Sequence, residues 1–250
     1  MTRLRMIGLC LVAVFAMAGL AASSASALPK WNVNGAALAG KENITFTSVG
    51  VTKLVTPNHT IECEKAKQGT GTNQIENVGG TGVAHAVIQF EKCNVNEGLI
   101  KCKAKSKGAA EETIVTNVND ELTFRSNAKS TPLGLVFKTT KAKSKPFVEL
   151  EFSGICSLLN GTVNATGVEH GPAIEGVAGV VCKIEGTPEK EENSHEINCV
   201  KAEQTKFFYE EGGLLKEGKA GLEFNKEVSE QVGKGKIKAS GTNTYSAKST

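Results

Sequence analysis

The sequence predicts an all-β fold, an antiparallel β-sandwich or barrel-like arrangement of about a dozen short strands after an N-terminal signal helix. Three observations predict it. Short runs rich in Val, Ile, Thr and Phe recur along the chain, several with strictly alternating apolar and polar residues. Glycine-rich clusters separate them, as antiparallel connections require. Beyond the signal, no run repeats its apolar positions with the period of a helix.

Residues 1–27 read as a cleavable signal peptide. Arg3 and Arg5 precede an unbroken apolar run from Ile7 to Ala22, and Ala25-Ser26-Ala27 supplies the small side chains a signal peptidase needs. The run is shorter than the roughly 20 residues that span a bilayer. Cys10 follows Leu9 and stands too early for lipoprotein processing, so it leaves with the signal. No other apolar stretch is long enough to span, and Ser246 to Thr250 carries no hydrophobic tail. Residues 28–250 are expected to form a single all-β extracellular domain, with a weak boundary near 169–175, located outside the cell or in the cell envelope.

The strand signal is clearest where Val148, Leu150 and Phe152 alternate with Glu149 and Glu151. Comparable runs are expected at 43–49, 60–64, 84–90, 99–103, 113–118, 122–125, 135–139, 162–166, 177–185, 196–200, 204–209, 220–225 and 234–239. Turn clusters fall at 79–82, 94–98, 160–161, 212–213 and 233–235. The stretch 117–121, around Asp120, has turn chemistry, and the acidic segment 185–196 reads as an exposed hairpin tip.

Composition narrows the function. Without Arg3 and Arg5 the chain holds 27 basic residues against 26 acidic ones, so it is not built to steer a strongly charged partner. Asp120 is the only aspartate and Arg125 the only arginine after the signal. Calcium loops need clustered Asp and Asn oxygens, and nucleic-acid recognition leans on arginine; neither is expected. Few Trp and Tyr are present to make a sugar platform. The pentapeptide Lys-Ala-Lys-Ser-Lys occurs at 103–107 and 141–145, as two solvated loops or as fingers for an anionic polymer.

Six cysteines remain after cleavage: Cys63, Cys93, Cys102, Cys156, Cys182 and Cys199. An even number in an exported chain predicts three structural disulfides. Parity turns five toward the core, whereas Cys93 is out of phase with Phe90 and marks a bulge or rim. Closing local hairpins gives Cys93–Cys102 and Cys182–Cys199, leaving Cys63–Cys156 as the long-range bond. Metal readings of His59, Glu62 and Cys63, or of His195 with Cys199, lack zinc-site spacing.

No sequence motif for a catalytic elbow, zinc helix or phosphate loop is present, and no cofactor is expected. His59, His85, His170 and His195 are scattered. Paired carboxylates, Glu149 with Glu151 or Glu111 with Glu112, are the remaining route to a hydrolase. Asn-x-Thr sequons stand at Asn43, Asn58, Asn160 and Asn164.

Trp31-x-Val33-x-Gly35, Ile61-x-Cys63, the segments 90–93 and 152–156 running into cysteine, and the glycine-rich stretch near Gly241 resemble a set of exported β-proteins found in large paralogous numbers in soil actinobacteria. The resemblance implies an extracellular or envelope location and no particular chemistry. The leading expectation is a non-enzymatic secreted β-module serving adhesion, structure or binding of a cell-wall polymer or other extracellular macromolecule. The alternatives are a two-Glu hydrolase and an anion-binding module using the two Lys-rich loops.

Overall fold

The computed structural model describes residues 28–97, 100–129, 133–139, 147–154, 156, 169–170, 174–175, 181–201, 205–224 and 227–249. The expected signal peptide, the Lys-rich stretch 141–145, the strand at 162–166 and the sequons at Asn160 and Asn164 lie outside them. Every described element is a strand. In chain order they are β1 (Pro29–Val33), β2 (Ala36–Ala37), β3 (Lys41–Val55), β4 (Thr60–Gln68), β5 (Gln74–Val78), β6 (Thr81–Glu97) and β7 (Ile100–Ser106). There follow β8 (Thr113–Phe124), β9 (Leu133–Thr139), β10 (Leu150–Gly154), β11 (Glu169–His170), β12 (Ile174–Glu175) and β13 (Val181–Ile184). The last six are β14 (Ser194–Cys199), β15 (Lys206–Glu211), β16 (Leu214–Lys219), β17 (Leu222–Phe224), β18 (Glu227–Ala239) and β19 (Tyr245–Ser249).

Turn chemistry sets the local register. Asn34 and Gly35 both have positive φ (50° and 83°), as do Gly79 and Gly80 (59° and 91°). These are the two-residue turns whose twist matches paired antiparallel strands, and they join β1 to β2 and β5 to β6. Longer-range pairing then closes the sheet. The ladder runs β6–β4–β3–β18–β14–β13–β9–β8, and β8 pairs back onto β6 from Glu91↔Thr113 to Val83↔Glu121. All eight junctions are antiparallel, so the wall is a closed barrel with no free edge. The slot between β3 and β6 is filled by β4 along one part and by β5 along the other.

The outer wall is polar. Lys41, Lys53 and Lys65 stand opposite Glu76, Glu62 and Glu91 across their ladders and pair with them. A lipid-facing barrel would carry an apolar band there. Among the described residues no helix is long and apolar enough to cross a membrane.

One end of the barrel is packed shut. The small sheet β19–β1–β2 lies over it, placing Trp31 and Tyr245 in one core with Ile44, Ile75, Leu122 and Phe124. Trp31 Nε1 donates to the Val83 carbonyl (3.0 Å), and Asn77 brackets the Trp31 backbone by accepting from its N–H and donating to its carbonyl. Tyr245 donates its hydroxyl to the Ile237 carbonyl (2.7 Å) and packs edge-on against both Trp31 and His195. Gly82 must be glycine here, because a Cβ would lie 2.9 Å from Trp31 Cδ1.

Several expectations need correction, beginning with the turns at 94–98 and 233–235: residues 94–97 belong to β6 and residues 233–235 to β18. The stretch 117–121 is not a turn: β8 runs straight through it, with Val118 and Asp120 buried and Asn117 exposed. Its Asn and Asp content mimics a turn, but each side chain falls on the face that its parity dictates. The segment 185–196 is not a free tip, since Pro188, Glu191 and Glu192 bond to β19 and latch the packed end. Among the described residues, the unread elements longer than two residues are β1 and β19 near the ends of the chain and β5 and β16 within it, each five or six residues long.

Candidate functional site: a cavity inside the barrel

The alternation that sends Lys and Glu outward sends apolar side chains into the lumen. Around Trp31 they fill it; farther along the same strands they leave a cavity of about 120 Å³. All eight barrel strands line it. Thr52 and Leu54 come from β3, Ile61 and Cys63 from β4, Ile88 and Phe90 from β6, and Ile114 and Val118 from β8. Phe137 of β9, Cys182 of β13, Ile197 and Cys199 of β14, and Gly233 and Gly235 of β18 complete the ring. Phe147, Val148 and Leu222 reach in from outside the barrel strands.

Four phenylalanines, Phe46, Phe90, Phe137 and Phe147, are only half-buried although they face this space. Gly235 lets the Phe46 ring lie flat against β18, because a Cβ there would collide with it. Lys234 is exposed and Gln231 half-buried, so the cavity meets the surface along β18. Lys234 is paired with Glu196 at 3.0 Å, and Thr116 donates to the Phe147 carbonyl. The Thr52 hydroxyl is buried with no hydrogen-bond partner among the described residues.

The six expected cysteines form three disulfides, but two pairings differ from the expectation. The bonds are Cys63–Cys93, Cys102–Cys156 and Cys182–Cys199. Register decides this. Cys93 stands directly opposite Cys63 across the β4–β6 ladder, while Cys102 stands opposite Val95 in the β6–β7 hairpin and opposite Gly154 of β10. The phase break at Cys93 is real: Lys92 has a φ of 55°, which turns Cys93 and Val95 inward after Ile88.

The other candidate residues do not converge. His85 bridges Glu76 and Asn119 at 2.7 Å each, His195 holds the Tyr245 carbonyl at 2.8 Å, and the His59 ring packs on Phe224. His170 lies in β11, opposite Glu151. Every candidate carboxylate holds a lysine: Glu149 with Lys107, Glu151 and Glu111 with Lys105, and Glu112 with Lys103. Lys105 and the Ser153 hydroxyl, hydrogen-bonded to Glu111, hold its carboxyl below the usual range, opposite to what a general acid needs. Glu151 is buried, not outward as alternation suggested, because β10 lies between β7 and β11. The Lys-rich stretch 103–107 is therefore engaged with glutamates.

Asp120 is different in kind. It projects into the lumen in phase with Val118 and Leu122, opposite Ala84 and Phe137, and its Oδ1 has no partner among the described residues. Burial pushes its carboxyl well above the ordinary range. Among the described residues no group of three or more His, Cys, Asp or Glu is arranged to hold a metal ion. No protein-family model, curated protein or solved structure matches the chain.

Proposed function

We propose that this chain is an exported, non-enzymatic binding protein that holds a small apolar molecule inside its barrel. The observation that carries the reading is the apolar cavity to which all eight barrel strands contribute. An eight-stranded barrel is just wide enough to be filled by its own side chains or to hold one small ligand, and this lumen is filled over only part of its length. Four rings kept half-buried at the cavity wall cost hydration that an apolar guest would relieve. The signal at residues 1–27 and the three disulfides fit an oxidising space outside the cell. Binding through the lumen also fits the Lys-rich stretch 103–107, whose three lysines are engaged with glutamates.

The test is titration of the disulfide-intact protein with benzene, followed by calorimetry and by thermal denaturation. One equivalent is expected to bind and to raise the melting temperature, by the mass-action stabilisation of a ligand that binds only the folded state. Ile88→Trp, which fills the cavity from its wall, is expected to abolish binding while circular dichroism stays unchanged. Absence of any thermal shift at saturating benzene would overturn the reading. So would equal binding by a folded Ile88→Trp variant.

A further inference from the structure

We infer that the Thr52 hydroxyl is the polar anchor of this cavity and that the ligand is a neutral one-ring molecule with a single hydrogen-bonding oxygen, of the phenol class. The inference rests on the lumen-binding reading and deepens it.

Size comes first. An apolar cavity of about 150 Å³ admits benzene, and this one, at about 120 Å³ with half-buried rings at its wall, is of single-ring scale. Four phenylalanines drawn from different segments supply edges and faces for an aromatic guest. Charge comes second. The cation on the lining, Lys234, is already paired with Glu196, so a carboxylate guest would have to break that pair.

Polarity then singles out one group inside the cavity, since Gln231 stands half-buried where the cavity meets the surface. The Thr116 hydroxyl is spent on the Phe147 carbonyl. Thr52 is 6% exposed, lines the cavity, and has no partner for its Oγ1 among the described residues. Buried hydroxyls are almost always paired, and an orphan asks for an explanation. The local backbone supplies part of one. Thr52 follows Gly50, whose φ is +82°, at the place where β3 loses register with both β4 and β18. Its neighbours there are the Cys63–Cys93 bridge and Gly233, neither of which offers its hydroxyl a side-chain acceptor. Among the described residues no hydrogen bond holds the present rotamer, and the side chain lines the cavity, so rotation about χ1 is free to present the hydroxyl to a guest. A ligand oxygen seated there gains a bond that this site cannot make for itself.

The experiment compares phenol with benzene by calorimetry on the disulfide-intact wild type, Thr52→Val and Thr52→Ser. The ratio of the two affinities cancels whatever each substitution does to the cavity as a whole. Loss of one hydrogen bond is expected to lower the phenol-to-benzene ratio roughly fivefold to tenfold in Thr52→Val. Thr52→Ser keeps the hydroxyl and should hold the ratio within about twofold of wild type. An unchanged ratio in Thr52→Val, or wild type that binds benzene but not phenol, overturns the anchor and leaves the lumen reading standing. If neither compound binds wild type, the lumen reading fails and the anchor goes with it.

Discussion

Around Trp31 and Tyr245 the barrel is filled by rings whose polar atoms are bonded, whereas around Thr52 and Cys63 it is hollow and neighbouring strands of its wall are joined by disulfides. The difference extends to composition: all six described cysteines belong to the core cluster that borders the cavity, and none belongs to the cluster around Trp31. A void forfeits the packing that holds a core together. At about 24 cal/mol per Å³, a cavity of about 120 Å³ costs roughly 3 kcal/mol. A single disulfide recovers about as much by constraining the unfolded chain. The void lies where covalent links stand in for contacts, and the packed end does without them.

The largest expected effect tests the packed end. Trp31→Ala removes a ring that is 1% exposed, with its N–H bonded to Val83, and should lose about 3–5 kcal/mol in urea denaturation. Phe90→Ala, at the half-buried cavity wall, should lose distinctly less, because its ring is already incompletely packed. Equal losses would erase the distinction between the two halves.

The next effect tests the staples. Because Cys63 and Cys93 are partners, Cys63→Ala, Cys93→Ala and the double variant should all lose the same stability, about 3–4 kcal/mol on the loop-entropy estimate. The Cys102–Cys156 bond closes a longer stretch, 54 residues against 30, and its removal should cost slightly more. Unequal shifts for Cys63→Ala and Cys93→Ala in melting temperature would contradict the pairing.

Sequence reading reached the strands because their signal is local: in β14, His195, Ile197 and Cys199 are buried and alternate with polar Ser194, Glu196 and Asn198. It reached the all-β class for the same reason, and the involvement of every described cysteine from their even number. The cavity was not legible. Ile88, Val118 and Ile197 read identically whether they meet a neighbour or a void, since parity reports which face a residue takes and not what lies opposite. Closure was hidden too, because it depends on β6 meeting β8 and β3 meeting β18, across separations that no local pattern encodes. The disulfide error has the same origin. Cys93 and Cys102 flank one hairpin, but register places Val95, and not Cys93, opposite Cys102.

The smallest effect concerns the border between the halves. Asp120 lies between Val118, on the cavity wall, and Leu122, in the packed core, and burial raises its carboxyl well above the ordinary range. In the unfolded chain the same carboxyl ionises near pH 4. Below that value both states hold the proton and Asp120 contributes no pH dependence. Above it the unfolded state gives up its proton first, so wild-type stability falls with rising pH until the folded carboxyl ionises in turn. Asp120→Asn lacks that fall. The stability of Asp120→Asn relative to wild type should therefore increase between about pH 4 and about pH 7, by at least about 1 kcal/mol. Taking the difference cancels the opposite trend from salt-bridged carboxylates such as Glu91, which the hydrogen bonds from Lys67 and Lys65 hold at about 2. Parallel curves would mean that Asp120 keeps an ordinary carboxylate pKa, which requires water or another polar partner beside it. The lumen beside Asp120 would then be wet, and the border between the packed end and the hollow one would not be dry.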